Sequence, residues 1–183
     1  MNTLSKTLAI ILISQAGLIA CSTMEVGMNK TNHPVAVPPI LAPTDSEKYA
    51  FALPAKGVQI YECRIAADGK AAWVFVAPEA ELFDTSGKLV GKHYAGPTWE
   101  SNDGSKTVGT VKQRADAKTT HDIPWLMLAA KSTGPNGTMA SVTSIQRVNT
   151  VNGVAPADGC SANKVGSVTR VPYTADYYYF VGR

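Results

Sequence analysis

The sequence predicts an all-β fold: a single-domain antiparallel sandwich or barrel of short strands, with little helix. Two observations predict the strands. Stretches rich in β-branched and aromatic residues recur from residue 58 to residue 181, and clusters of Gly, Asp, Asn and Ser punctuate them at the spacing of an all-β sandwich or barrel. A third predicts the single domain. The segment from Asp45 to Arg183 is about 140 residues long, the size of one ordinary domain with its own core.

Taken in chain order, the first element is a leader. Lys6 and the amino terminus give a short positive region, residues 8–13 (LAIILI) an apolar one, and Leu18-Ile19-Ala20 leads to Cys21. The apolar run is too short to span a bilayer. The segment resembles a bacterial lipoprotein signal. That resemblance implies a signal peptide over 1–20, acylation of Cys21 and, with Ser22 following it, the periplasmic face of the outer membrane. Cleavage after Ser22 is the alternative and leaves a soluble periplasmic or secreted protein. Residues 21–44, polar and interrupted by Pro34, Pro38, Pro39 and Pro43, read as the lipidated cysteine and a flexible tether with a reach of roughly 25 Å.

The strands follow. Residues 58–64 alternate, and Asp68-Gly69 turns the chain into 72–76, a strong hairpin signal. Strands are expected at 89–94, 98–101, 107–114, 125–130, 142–148, 168–171 and 177–181, with turns at 84–87, 102–105, 135–137, 152–153 and 158–159. The apolar run Trp125-Leu126-Met127-Leu128 is equally compatible with a buried helical turn, but Pro124 and Gly134 keep it short and favour a central strand. Val142, Ile145 and Val148 recur every three residues, which suits a helix or a bulged strand. Thr143, Thr150 and Val151 favour the strand. In the final strand Tyr177 and Tyr179 are expected on one face, Tyr178 and Phe180 on the other.

The formal charge is +3, from 17 basic and 14 acidic residues without a basic cluster, which argues against nucleic-acid binding. With Cys21 assigned to lipid, Cys63 and Cys160 remain as a pair in an exported chain, where disulfides persist, and a bond between them is expected.

Gly57-Val58-Gln59-Ile60-Tyr61-Glu62-Cys63, Ala77-Pro78-Glu79-Ala80, the run from Gly91 to Glu100, Ile123-Pro124-Trp125-Leu126, Ile145-Gln146-Arg147-Val148 and Gly159-Cys160 occur in this order. Together they resemble the domain of unknown function 3455 family, across essentially the whole folded part. The resemblance brings no assigned activity and no catalytic residues. A malate dehydrogenase label borne by some fungal members does not fit this chain, which lacks a Gly-x-Gly-x-x-Gly turn and an alternating βαβ pattern.

The densest group of chemically capable residues is His93, Tyr94, Trp99, Glu100 and Asp103. Convergence of His93 and Glu100 across the Gly96-Pro97 bend would give a general acid/base pair, with His121 as a third group. This is the basis of a hydrolase or lyase reading. His93, His121, Glu100 and Asp103 are also plausible ligand types, but none lies in a metal-ligand spacing motif, so no metal site is expected. Asp103-Gly104-Ser105 is more simply a turn. Tyr94, Trp99 and Asp103 are the binding candidates, and the aromatic content suits a pocket that stacks on a flat apolar ligand or a sugar ring. No phosphate-cradling glycine loop occurs, and no cofactor is expected. The preferred expectation is a lipid-anchored envelope protein that binds a small molecule, glycan or envelope component. A structural envelope protein without a pocket is the third reading.

Overall fold

The structure, a computed structural model, describes residues 35–183. The leader, Cys21 and the tether as far as residue 34 lie outside the described residues.

Eight strands run in chain order: β1 (Glu47–Ile65), β2 (Ala71–Phe83), β3 (Leu89–Tyr94), β4 (Thr98–Ser101), β5 (Lys106–Ala115), β6 (Trp125–Ser132), β7 (Val142–Asn152) and β8 (Val168–Gly182). Each pairs antiparallel with its neighbour in sequence, and β8 returns to β1, so the sheet closes into an up-and-down barrel. Two 3-10 turns, Pro39–Leu41 and Ala162–Lys164, are the helical elements among the described residues.

Turn chemistry sets the connections. Asp68-Gly69 closes the β1–β2 hairpin, with Gly69 at φ +78° and its N–H donating to Ala66 O at 3.0 Å. Only glycine adopts that left-handed conformation without steric penalty. Alternation then sorts the side chains. In β8, Tyr173, Ala175, Tyr177 and Tyr179 belong to the interior cluster, while Tyr178 packs against a second cluster that contains Leu41. On the outer face Lys56, Glu79, Lys92 and Lys131 meet solvent.

Three strands are much longer than the sequence pattern suggested: β1, β2, which has 13 residues where five were expected, and β8, which joins the two strands expected at 168–171 and 177–181. β1 has 19 residues and β8 has 15, and they are paired along nearly their whole length, from Glu47 opposite Gly182 to Glu62 opposite Val168. Pro54 lies where β1 is paired with β8 alone, because the ladder to β2 begins at Ala55. A proline is tolerated at such an edge-like position.

β7 is a strand, and its three-residue apolar spacing comes from one bulge and from burial on both faces. Register shifts fall between Val142 and Ser144 and between Val148 and Val151. Val142 and Ile145 face the interior, whereas Val148 is buried on the outside beneath Leu41. Asn149, at φ 49°, lies within the second irregularity, and Asn152, at φ 61°, ends the strand, both in the left-handed region that asparagine tolerates.

The carboxyl end of the segment expected to be a tether is packed against the barrel. Residues 35–41 lie on the barrel as a strap: Leu41 is fully buried against Trp125, Met127 and Val148, Val35 and Val37 pack beside it, and Leu41 O accepts from Gln146 Nε2 at 2.6 Å. Within the strap Pro38 is extended and Pro39 opens the 3-10 turn that delivers Leu41, and neither has a backbone N–H needing a partner.

Candidate binding site

An eight-stranded barrel has an interior that side chains can fill or that can hold one small ligand. This barrel does both. Towards the β2–β3, β4–β5 and β6–β7 turns the interior is filled by Leu53, Leu82, Met139, Ile145 and Tyr179. Towards the other end, beside the β3–β4 bend at Gly96-Pro97 and the β5–β6 connection at Ile123-Pro124, it contains a cavity of about 650 Å³. That is within the range of ordinary small-molecule sites.

His93, Trp99 and Tyr177 form an aromatic cluster in the cavity wall. The His93 ring stacks on Trp99 at 4.3 Å between centroids, and Tyr177 meets both rings edge-on at 5.1 and 5.3 Å. Trp99 fits because β5 offers Gly109 beneath it, where a Cβ would come within 2.8 Å of the indole. Phe75, Val76 and Val111 are exposed around the mouth. Among the lining residues Gln59 is 2% exposed, and neither its Nε2 nor Trp99 Nε1 has a hydrogen-bond partner. Arg147, on β7, donates from Nε and Nη2 to Pro124 O at 3.1 and 2.8 Å.

His93 is held neutral. Its Nδ1 lies 2.8 Å from Thr98 O, and because a carbonyl can only accept, Nδ1 carries the proton and Nε2 the lone pair. Burial, reinforced by the positive charge of Arg147, pushes its pKa down to about 3 despite the Thr98 hydrogen bond.

The paired strands separate the proposed acid and base. His93 is opposite Trp99, and Lys92 is opposite Glu100. His93 and Trp99 therefore face the interior, while Glu100 lies on the outer face with Tyr94 and Lys92. There Glu100 accepts from Tyr94 Oη at 2.6 Å and meets Lys106 and Lys92 at 3.3 and 3.6 Å. The Tyr94 hydrogen bond and the two lysines hold its carboxyl below the usual range. The expected His93–Glu100 pair does not form, because β4 presents consecutive residues to opposite faces.

His121 is also elsewhere. It is exposed on the β5–β6 connection and lines a surface depression with Val154 and Pro172. Asp103 sits in the β4–β5 turn, near the filled end. It accepts from the backbone and hydroxyl of both Ser105 and Thr138, tying that turn to the β6–β7 connection. Those four hydrogen bonds hold its carboxyl well below the ordinary range. Among the described residues no three of His, Cys, Asp or Glu converge on a metal-sized site.

The model of the family described as protein of unknown function (DUF3455) matches residues 43–181. The chain belongs to that family. No curated protein and no solved structure matches it.

Of the residues singled out in the sequence, the DUF3455 domain brings His93 and Trp99 into the cavity, leaves Tyr94 and Glu100 on the outer wall, and puts His121 and Asp103 at separate sites. Cys63 and Cys160 are bonded, with Cα atoms 5.3 Å apart. The bond fastens the β7–β8 connection to β1, aided by Trp73 Nε1 donating to Asp158 O at 2.9 Å. Next to it, Tyr61 Oη donates to Gly153 O at 2.7 Å and completes the cavity wall.

Gln59 and Arg147 were missed as site residues. A signal for both was present in the alternation. Gln59 shares its phase with Leu53, Ala55, Tyr61 and Cys63, and Arg147 shares its phase with Ile145. A polar residue in the inward phase of a barrel strand faces either a partner or a cavity.

Proposed function

We propose that this protein is a small-molecule-binding barrel of the bacterial envelope, carried on a lipid at Cys21. The observation that carries the binding reading is the aromatic-lined cavity at one end of the closed barrel, walled by Trp99, Tyr177, Phe75 and Leu128 with a few polar groups. A mostly apolar concavity with sparse polar contacts is the usual form of a ligand site. The acid/base alternative that pairs His93 with Glu100 loses its basis, because the two side chains lie on opposite faces of the sheet. For the envelope, the leader pattern ending in Cys21 supports export and acylation, and the Cys63–Cys160 disulfide fits an oxidising compartment.

Binding of the neutral dye N-phenyl-1-naphthylamine, read by its fluorescence gain, tests the site. We expect saturable binding that Val111→Trp at the mouth weakens at least tenfold and Glu100→Gln on the outer wall leaves unchanged. Loss with Glu100→Gln but not with Val111→Trp would move the site out of the barrel, and no binding at all would favour the pocketless structural reading. For the anchor, Cys21→Ala should shift the protein from the membrane to the soluble fraction. Unchanged partitioning would sink the lipoprotein assignment.

A further inference from the structure

Arg147 carries a charge inside the cavity that the protein does not neutralise. Its guanidinium lines the cavity together with His93 and Tyr177, and it forms no ion pair among the described residues. No aspartate or glutamate lines the cavity at all, whereas a second cation, Arg114, does, exposed near the mouth. The positive charge is felt through the pocket: it opposes ionisation of His93 and favours that of Tyr61 and Tyr177. An unpaired cation in a partly desolvated, apolar site is destabilising unless an anion or several acceptors meet it.

The geometry of the guanidinium leaves room for such a partner. Pro124 O takes the Nε and Nη2 donors on one side. This fixes the plane of the group; the Tyr177 hydroxyl lies beside the guanidinium as a neutral acceptor, and the N–H groups not taken by Pro124 O can meet a charged one. A planar fork of that kind matches the two oxygens of a carboxylate. The rest of the wall is suited to an apolar body: the Trp99 and Phe75 rings, Leu128 and Val76.

We propose that the cavity takes an apolar carboxylate, its head on Arg147 and its body against Trp99, Phe75 and Leu128. This rests on the reading of the cavity as the ligand site. It goes further, because a pocket selecting on shape and apolarity alone would not distinguish an acid from the matching alcohol.

Two matched pairs test it on the purified full-length protein by calorimetric titration: 2-naphthoate against 2-naphthylmethanol, and decanoate against decanol. The expected result is at least tenfold tighter binding of the acid in one pair or both. Arg147→Met should reduce that preference to less than threefold while the alcohol still binds, and Arg147→Lys should restore part of it. If Arg147→Met does not fold, the wild-type pairs and Arg147→Lys still decide. Equal or tighter binding of both alcohols would overturn the carboxylate assignment and leave the pocket reading standing. Absence of binding by all four compounds while the dye still binds would overturn the carboxylate assignment alone, and absence of dye binding as well would overturn both.

Discussion

Burial fixes what His93 contributes to stability, and the sign follows from its two pKa values. In the unfolded chain the ring titrates near 6.5, and in the folded barrel it has been pushed down to about 3. Above pH 6.5 both states are neutral and no difference arises. As pH falls from 6.5 towards 3 the unfolded chain takes up a proton that the barrel refuses, so stability is lost, by up to roughly 1.4 kcal/mol per pH unit at the steepest. Urea unfolding at pH 7, 6, 5 and 4 should show this fall in the wild type, and His93→Gln should show a shallower one; parallel curves would mean that His93 is protonated in the fold. At this scale the sequence disclosed residue types but not their company. The run from His93 to Glu100 looked like one constellation because its members are near in sequence, and β3 and β4 distribute them to two faces. Alternation could have separated Trp99 from Glu100. Placing His93 with Trp99 required the cross-strand register, which depends on where the bend at Gly96-Pro97 falls.

Among the elements, the strap at 35–41 shows where composition misleads. Its prolines and small residues read as tether, but Leu41 fills a site on the outer wall lined by Trp125, Met127 and Val148. Removing a fully buried leucine side chain costs about 2–5 kcal/mol, from lost apolar burial and the space left behind. Leu41→Ala should therefore lower the denaturation midpoint without changing the barrel's circular dichroism. An unaltered midpoint would show that the strap is not docked. The same segment explains β7. Val148 and Gln146 face outward, where alternation would place solvent-exposed residues, and they are buried because the strap covers them. An apolar period of three was thus the sum of two burial environments and a bulge. By contrast, the Asp68-Gly69 hairpin and the opposed faces of 177–180 could be read from sequence, since both depend on residues close together in the chain. Strand ends could not, because the length of β1 is set by β8, its partner far along the chain.

For the molecule as a whole, closure and the disulfide act together. Cys63 and Cys160 are 97 residues apart, and closing so long a loop in the unfolded chain stabilises the fold by roughly 4–5 kcal/mol in the chain-entropy view. Cys160→Ser, or reduction of the wild type, should lower the melting temperature clearly and loosen the β7–β8 connection, whose Gly153 O holds the cavity residue Tyr61, raising dye dissociation as well. A melting temperature insensitive to reductant would remove the disulfide from the account. The charged outer face is the reverse of a membrane-spanning barrel, which carries its apolar band outside. Fold class was legible because turn spacing and alternation are local. Barrel as against sandwich was not, since it depends on whether the first and last strands meet.

That meeting has a consequence for synthesis. β1 emerges from the ribosome first, but its long ladder is completed by β8, the last fifteen residues of strand, which also bring Tyr173, Tyr177 and Tyr179 to the interior. A nascent chain carrying seven strands has two raw sheet edges and a core without its tyrosines. The barrel therefore becomes whole in a single late event, and a chain cut short before residue 168 has no smaller version of the fold to settle into.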